Sequence, residues 1–155
     1  MGNDMIVSLY TLPDYIPNPA IRIKRVYPTD RDVVCAFIRE NFSEGWVKEA
    51  EYAMMQQPVK CFIAVEDKKV VGFACYDATA KGFFGPTGVL ESERGKGLGK
   101  ELLLRTLYAM KEDGYGYAII GWTGPAEFYK KCVGAQLIPG ATSDRSIYSN
   151  MLIFP

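Results

Sequence analysis

The stretch 93-ERGKGLGKELLLRTL-107 sets three glycines among basic and apolar residues and runs straight into a leucine-rich segment. Glycine is the poorest helix former after proline, yet Leu98, Leu102, Leu103, Leu107 and Met110 recur at helical spacing. The pattern predicts a helix from about Gly97 to Asp113, with Lys111 in its last turn and Gly114 just past its end. A helix that begins inside a glycine cluster is built from bare amides rather than capping side chains. Such a start, placed after a strand, is a general anion site, because the free N–H groups and the helix dipole both favour negative charge. Arg94, Lys96 and Lys100 add local positive charge.

The flanking sequence supplies that strand and several more. Upstream, 82-GFFGPTGV-89 reads as a strand near 83–89, with a bulge or edge expected at Gly85-Pro86 because proline cannot donate to a ladder. Before it, 61-CFIAVEDKKVVGFACYDA-78 reads as a hairpin of strands near 61–65 and 70–77. Downstream, 117-YAIIGW-122 is a short apolar strand suited to burial on both faces, and 125-PAEFYKKCV-133 a short helix with Pro125 near its first turn. Nearer the N-terminus, MIVSLY could be a short strand and AIRIKRV another near 21–26. Thr29 with Asp32 fits a capping box for a helix ending near Asn41. Ser43 is expected to cap a second helix carrying Trp46, Ala50, Ala53 and Met54 along one side. Two final strands, in AQLI and SIYSNMLIF, are expected around a turn at Pro139-Gly140. The order predicts a mixed α/β fold in one domain spanning residues 1–155.

Composition narrows the chemistry. The 155 residues carry 18 basic and 18 acidic side chains, a balance that argues against a general nucleic-acid binder. There is no histidine, so Ser-His-Asp and Cys-His catalysis are impossible within the chain. Cys35, Cys61, Cys75 and Cys132 form no CxxC pair, and no metal site is expected from them. They read as thiols of a reducing compartment. No apolar run is long enough for a membrane span and no signal pattern opens the chain, so a cytoplasmic protein is expected.

Three phosphate-binding patterns can be set against the glycine stretch. A Walker loop fails, since Gly99-Lys100 is followed by Glu101 and position 94 holds Arg94. A dinucleotide fingerprint fits Gly95 and Gly97 but meets Lys100 at its third glycine. The pattern R-x-x-G-x-G is satisfied by Arg94, Gly97 and Gly99. It resembles motif A of the GNAT superfamily, the Gcn5-related N-acetyltransferases. The strand before, the leucine-rich helix, the apolar strand and the EFYKK helix follow in the same order, so the resemblance covers roughly residues 20 to 155.

The resemblance implies a mixed sheet of six to seven strands flanked by about four helices. Its fourth and fifth core strands, here 83–89 and 117–122, would splay to admit the pantetheine arm of acetyl-CoA. Gly88 and Val89 would pair with the arm through their main chains, and a backbone N–H at or next to Val89 would polarise the thioester carbonyl. The amides of Gly95, Lys96, Gly97, Leu98 and Gly99, with Arg94 and Lys100, would cradle the pyrophosphate. Tyr129 of EFYKK matches the tyrosine that protonates the departing thiolate. Two departures stand out: YKKCVGA has one residue more before its glycine than the family's Y-x-K-x-G-F, and Pro125 stands near a common asparagine. For the general base, Glu91 and Asp77 are candidates beside a water relay. Trp46 and Glu49 are candidates for the acceptor site. The implied activity is transfer of an acetyl group from acetyl-CoA to a primary amine of a small molecule or peptide, by direct attack. The alternative is a non-catalytic acyl-CoA-binding or regulatory module. No nucleic acid, membrane or metal partner is implied, and a homodimer is left open.

Overall fold

The computed structural model describes residues 2–155. In chain order its elements are β1 (Met5–Ser8), β2 (Arg22–Arg25), α1 (Arg31–Asn41), α2 (Glu44–Met55), β3 (Cys61–Glu66), β4 (Lys69–Tyr76), β5 (Phe83–Val89), α3 (Leu98–Glu112), β6 (Tyr117–Ile120), α4 (Ala126–Val133) and β7 (Gln136–Leu137). The strands form one seven-stranded sheet in the order β2-β3-β4-β5-β6-β1-β7. Every neighbouring pair is antiparallel except β5 and β6. Four helices cover the two faces, the mixed α/β arrangement that the sequence predicts.

Strand alternation divides the core into two layers. On β3, Phe62 and Ala64 pack toward α3, while Cys61 and Ile63 pack toward α1 and α2. The leucines of the quoted stretch fill the first layer: Leu102, Leu103 and Leu107 are essentially fully buried. Each contributes about 1.5–3 kcal/mol by leaving water. Val34, Ile38, Val47 and Ala50 close the second layer.

The parallel pair is the feature that shapes the molecule. β5 and β6 are in register only at Phe83↔Ile119 and Phe84↔Ile120. Beyond Phe84 the strands part, which leaves a wedge open toward the N-terminus of α3. A register shift between Ala74 and Tyr76 of β4 lies opposite Gly85 and Pro86, the irregularity expected there.

Two expectations at the element level need correction. SIYSNMLIF is not a strand: Ile147–Asn150 is a 3-10 turn and the remainder is irregular. The reason is topological, because β1 pairs antiparallel with β6 and occupies the sheet position beside it. AQLI adds only the two-residue β7 on the far side of β1. The Thr29–Asp32 capping box also does not form. Pro28–Asp30 is a 3-10 turn, α1 starts at Arg31, and Asp30 accepts the Tyr27 N–H at 3.1 Å. Ser43, by contrast, caps α2 as expected, accepting the Trp46 N–H at 3.1 Å.

Candidate active site

The glycines before α3 take conformations that only glycine adopts easily. Gly95 and Gly97 have φ of +85° and +83°, and a Cβ at either would meet nothing within 4 Å. They therefore serve the path of the backbone rather than close packing, and the space beside them is open. Gly97 is the N-cap of α3 and provides no side-chain cap. Its carbonyl accepts the Glu101 N–H at 3.1 Å, so the amides of Leu98, Gly99 and Lys100 precede the first helical bond of this end. The loop thus presents uncapped N–H groups at a positive helix end.

That end faces a cavity of about 680 Å³ in the mouth of the wedge, whose lining includes Thr87, Gly88, Val89, Gly97, Lys100 and Tyr129. The Leu90 N–H donates to Val71 O at 2.8 Å, so Leu90 points its main chain at β4. Alternation then turns Val89 and Thr87 toward the gap and Gly88 back toward Phe73. Val89 keeps a main-chain amide facing the wedge, and its carbonyl accepts Arg94 Nε at 3.3 Å. Gly88 is placed differently from expectation. Its main chain belongs to the β4 ladder, and what it provides is the absence of a side chain. A Cβ there would lie 2.4 Å from the Phe42 ring.

Among the basic residues, Lys96 pairs with Glu93 at 2.7 Å, while Arg94 and Lys100 are exposed at the cavity rim. Tyr129 reaches the same cavity from α4. It is 6% exposed, with its ring edge-on to Phe84 at 6.3 Å and to Phe128 at 5.2 Å. Burial, with Cys132 adding to it, pushes its phenol up to about 12. The phenol therefore stays protonated through the neutral range and is available as a donor. Pro125 occupies the N-cap of α4, and Gly134 closes that helix in the left-handed conformation, at φ +68°.

A second cavity, of about 400 Å³, lies on the other side of β5 and includes Trp46, Glu49, Gly121, Trp122, Tyr148 and Phe154 in its lining. Phe84 lines both cavities, so the two meet where β5 and β6 begin to part. Trp46 and Glu49 are thus brought to a site next to the wedge. Glu91 lines neither cavity: it is exposed in a 3-10 turn and lines an adjoining cleft that shares Val89 and Arg94 with the wedge cavity and Phe42 with the second. Asp77 is 2% exposed and accepts Lys60 Nζ at 2.7 Å, the Gly82 N–H at 2.8 Å and the Tyr115 hydroxyl at 2.9 Å. Those partners occupy it in the framework. Trp122, Tyr148 and Phe154 carry no local sequence signal for a site, since they are spread over 32 positions of chain and only the fold decides that they face α2.

The comparisons with known proteins agree with this geometry. Residues 29–134 match the profile of the acetyltransferase (GNAT) family. Among solved structures, the chain is similar to a GCN5-related N-acetyltransferase from Sphaerobacter thermophilus, at 20% identity and a TM-score of 0.69 over 88% of this chain and 48% of that one. It is equally similar in fold to a GCN5-related glucosamine N-acetyltransferase region of a fungal multi-domain β-N-acetylglucosaminidase, at 16% identity and a TM-score of 0.69, covering 88% of this chain and 20% of that one. A GNAT family N-acetyltransferase (YhbS) from Escherichia coli, in complex with CoA, matches at 23% identity and a TM-score of 0.50 over 65% of this chain and 63% of that one. The chain spans less than half the length of the first two. No curated protein matches it. Among the described residues no helix is long and apolar enough to cross a membrane, and no group of three or more potential ligands could hold a metal ion.

Proposed function

The chain belongs to the acetyltransferase (GNAT) family, and from that premise we propose that it transfers an acetyl group from acetyl-CoA to a primary amine by direct attack. One observation carries this reading. The uncapped amides from Gly95 to Gly99 open onto the same cavity as the Val89 main chain and Tyr129. In this reading the amides, with Arg94 and Lys100 at the rim, hold the pyrophosphate of the coenzyme. The main chains of Thr87 and Val89 receive the pantetheine arm in the wedge as a further strand would be received.

The residues divide the chemistry as follows. The Val89 N–H is fixed in place before the reaction and donates to the thioester oxygen as negative charge develops there. The amine nitrogen forms a C–N bond to the carbonyl carbon, the C–S bond breaks, and Tyr129 protonates the departing thiolate. Burial keeps the proton on the phenol through the neutral range, and the place of Tyr129 in the cavity, rather than its raised pKa, supports the donor role. Glu91 lies outside both cavities, so its position lends no support to its being the base.

The test pairs calorimetry with a thiol-release assay. Acetyl-CoA is expected to bind, and coenzyme A to be released only when an acceptor amine is present. Binding without turnover across a broad panel of amines and peptides would leave a non-catalytic acyl-CoA-binding module instead.

A further inference from the structure

The second cavity contains one charged side chain in its lining, Glu49, and no lysine or arginine. Glu49 follows Trp46 by one helical turn of α2, so both project from the same face. Across from them stands a packed aromatic group. The Trp122 ring lies 4.0 Å from Phe154 and 5.5 Å from Tyr148, centroid to centroid, and Tyr148 and Phe154 are 5.6 Å apart. Phe42, 5.4 Å from Trp46, closes the near side. Burial pushes the Glu49 carboxyl up, an effect the Thr79 hydroxyl partly offsets. Burial and then the charge of Glu49 also push the Tyr148 phenol up, so the carboxylate is felt across the pocket.

A half-buried carboxylate among aromatic rings lacks a counter-charge. A cation completes it twice over, by pairing with the carboxylate and by resting on electron-rich ring faces. An anion would meet Glu49 with no positive side chain to offset it. A polyamine would present further charges to a lining whose one charged side chain is Glu49. Resting on the acetyl-transfer reading above, we infer that the acceptor is a primary ammonium on an uncharged, apolar or aromatic body, with Glu49 as its anchor. The first ammonium proton passes to the Glu49 carboxylate. The neutral amine then forms the C–N bond, its second proton leaves to water, and the thiolate takes a proton from Tyr129. One proton is released for each amine acetylated, after Tyr129 and Glu49 regain their starting states.

The test compares 2-phenylethylamine, phenylalanine and spermidine as acceptors, with acetyl-CoA binding measured separately by calorimetry. The expected result is a kcat/KM for 2-phenylethylamine about 100-fold or more above that of phenylalanine, its carboxylated counterpart. Spermidine should also be the poorer acceptor. Glu49→Gln should lower kcat/KM for 2-phenylethylamine at least about tenfold, leave the acetyl-CoA Kd unchanged and not lower the melting temperature, since it removes a half-buried charge. Equal use of phenylalanine, preference for spermidine, or an unaffected Glu49→Gln variant would overturn the inference, as would acetyl-CoA binding with no turnover of 2-phenylethylamine. Failure of acetyl-CoA to bind would instead overturn the acetyl-transfer reading. Calorimetry of 2-phenylethylamine against phenylalanine on the unmodified protein then still decides the pocket's preference, and it decides equally should the variant not fold.

Discussion

At the scale of single residues, Tyr129 and Gly97 do separable work. Tyr129→Phe keeps a buried ring against Phe84 and Phe128 and removes only the hydroxyl. Turnover should fall about 10²–10⁴-fold, the range for a lost proton donor, with the acetyl-CoA Kd unchanged. Steady-state kinetics beside calorimetry check this, and an undiminished kcat would remove Tyr129 from the mechanism. Gly97→Ala forces a Cβ onto a left-handed N-cap, at φ +83°. The strain should cost about 1–2 kcal/mol, and the displaced amides should weaken acetyl-CoA binding by about tenfold or more. Gly140→Ala is the control, because its φ of +75° imposes similar strain away from the cavity. If both variants lose the same affinity, the loop amides are not the binding groups. The glycines and Tyr129 were legible in the sequence because each belongs to a local pattern. Glu91 was named for its nearness to strand β5, yet the 3-10 turn that follows sets it in an adjoining cleft rather than in the lining of either cavity. Glu49 was named only as a candidate, and part of its surroundings, Gly121, Trp122, Tyr148 and Phe154, comes from far along the chain.

At the scale of elements, β5 is a partition with a different task on each side. Gly88 carries no side chain, and Phe42 from the α1–α2 junction rests in that space, its ring tilted against those of Trp46 and Phe73. Gly88→Ala would drive Phe42 toward the second cavity. The expected cost is about 1–3 kcal/mol of overpacking. The KM for the acceptor amine should rise more than that for acetyl-CoA. Thermal unfolding and two-substrate kinetics check the two parts, and a rise confined to acetyl-CoA would contradict the partition. Helices α3 and α4 were readable from periodicity and end signals, to within a residue or two, and the start of α2 from its Ser43 cap. The segment 146–154 was not, since its alternating apolar residues suit a strand as well as they suit an irregular cover. Nothing local says that β1 already holds the place beside β6.

For the whole molecule, the wedge needs a closed end as well as an open one. Asp77 supplies it, tying Lys60 before β3, Gly82 before β5 and Tyr115 before β6, while Gln56 at the end of α2 donates to its carbonyl at 2.8 Å. Burial pushes the Asp77 carboxyl up, but Lys60, the Gly82 N–H and the Tyr115 hydroxyl outweigh it and hold it below its ordinary value. Asp77→Asn should cost about 3 kcal/mol at neutral pH, at the low end for a broken buried pair, because Asp113 stands 4.0 Å from Lys60. The melting temperature should drop by about 6–12 °C. A lowered folded pKa means that this stabilisation is complete above the unfolded value of about 3.9 and is lost as pH falls through the folded one. The gap between wild type and variant should therefore shrink below about pH 4. A gap constant down to acid pH would show that the charge of Asp77 is not what holds the wedge. The sequence by itself determined the mixed α/β fold and the glycine-rich start of α3, because periodicity, glycine spacing and capping act over a few residues, and the family resemblance singled out Tyr129. Only the tertiary structure decided which strand lies beside β6, where β5 and β6 part, and which carboxylate stands in the second cavity. Those depend on residues distant in the chain that compete for the same sheet edge and the same cavity wall.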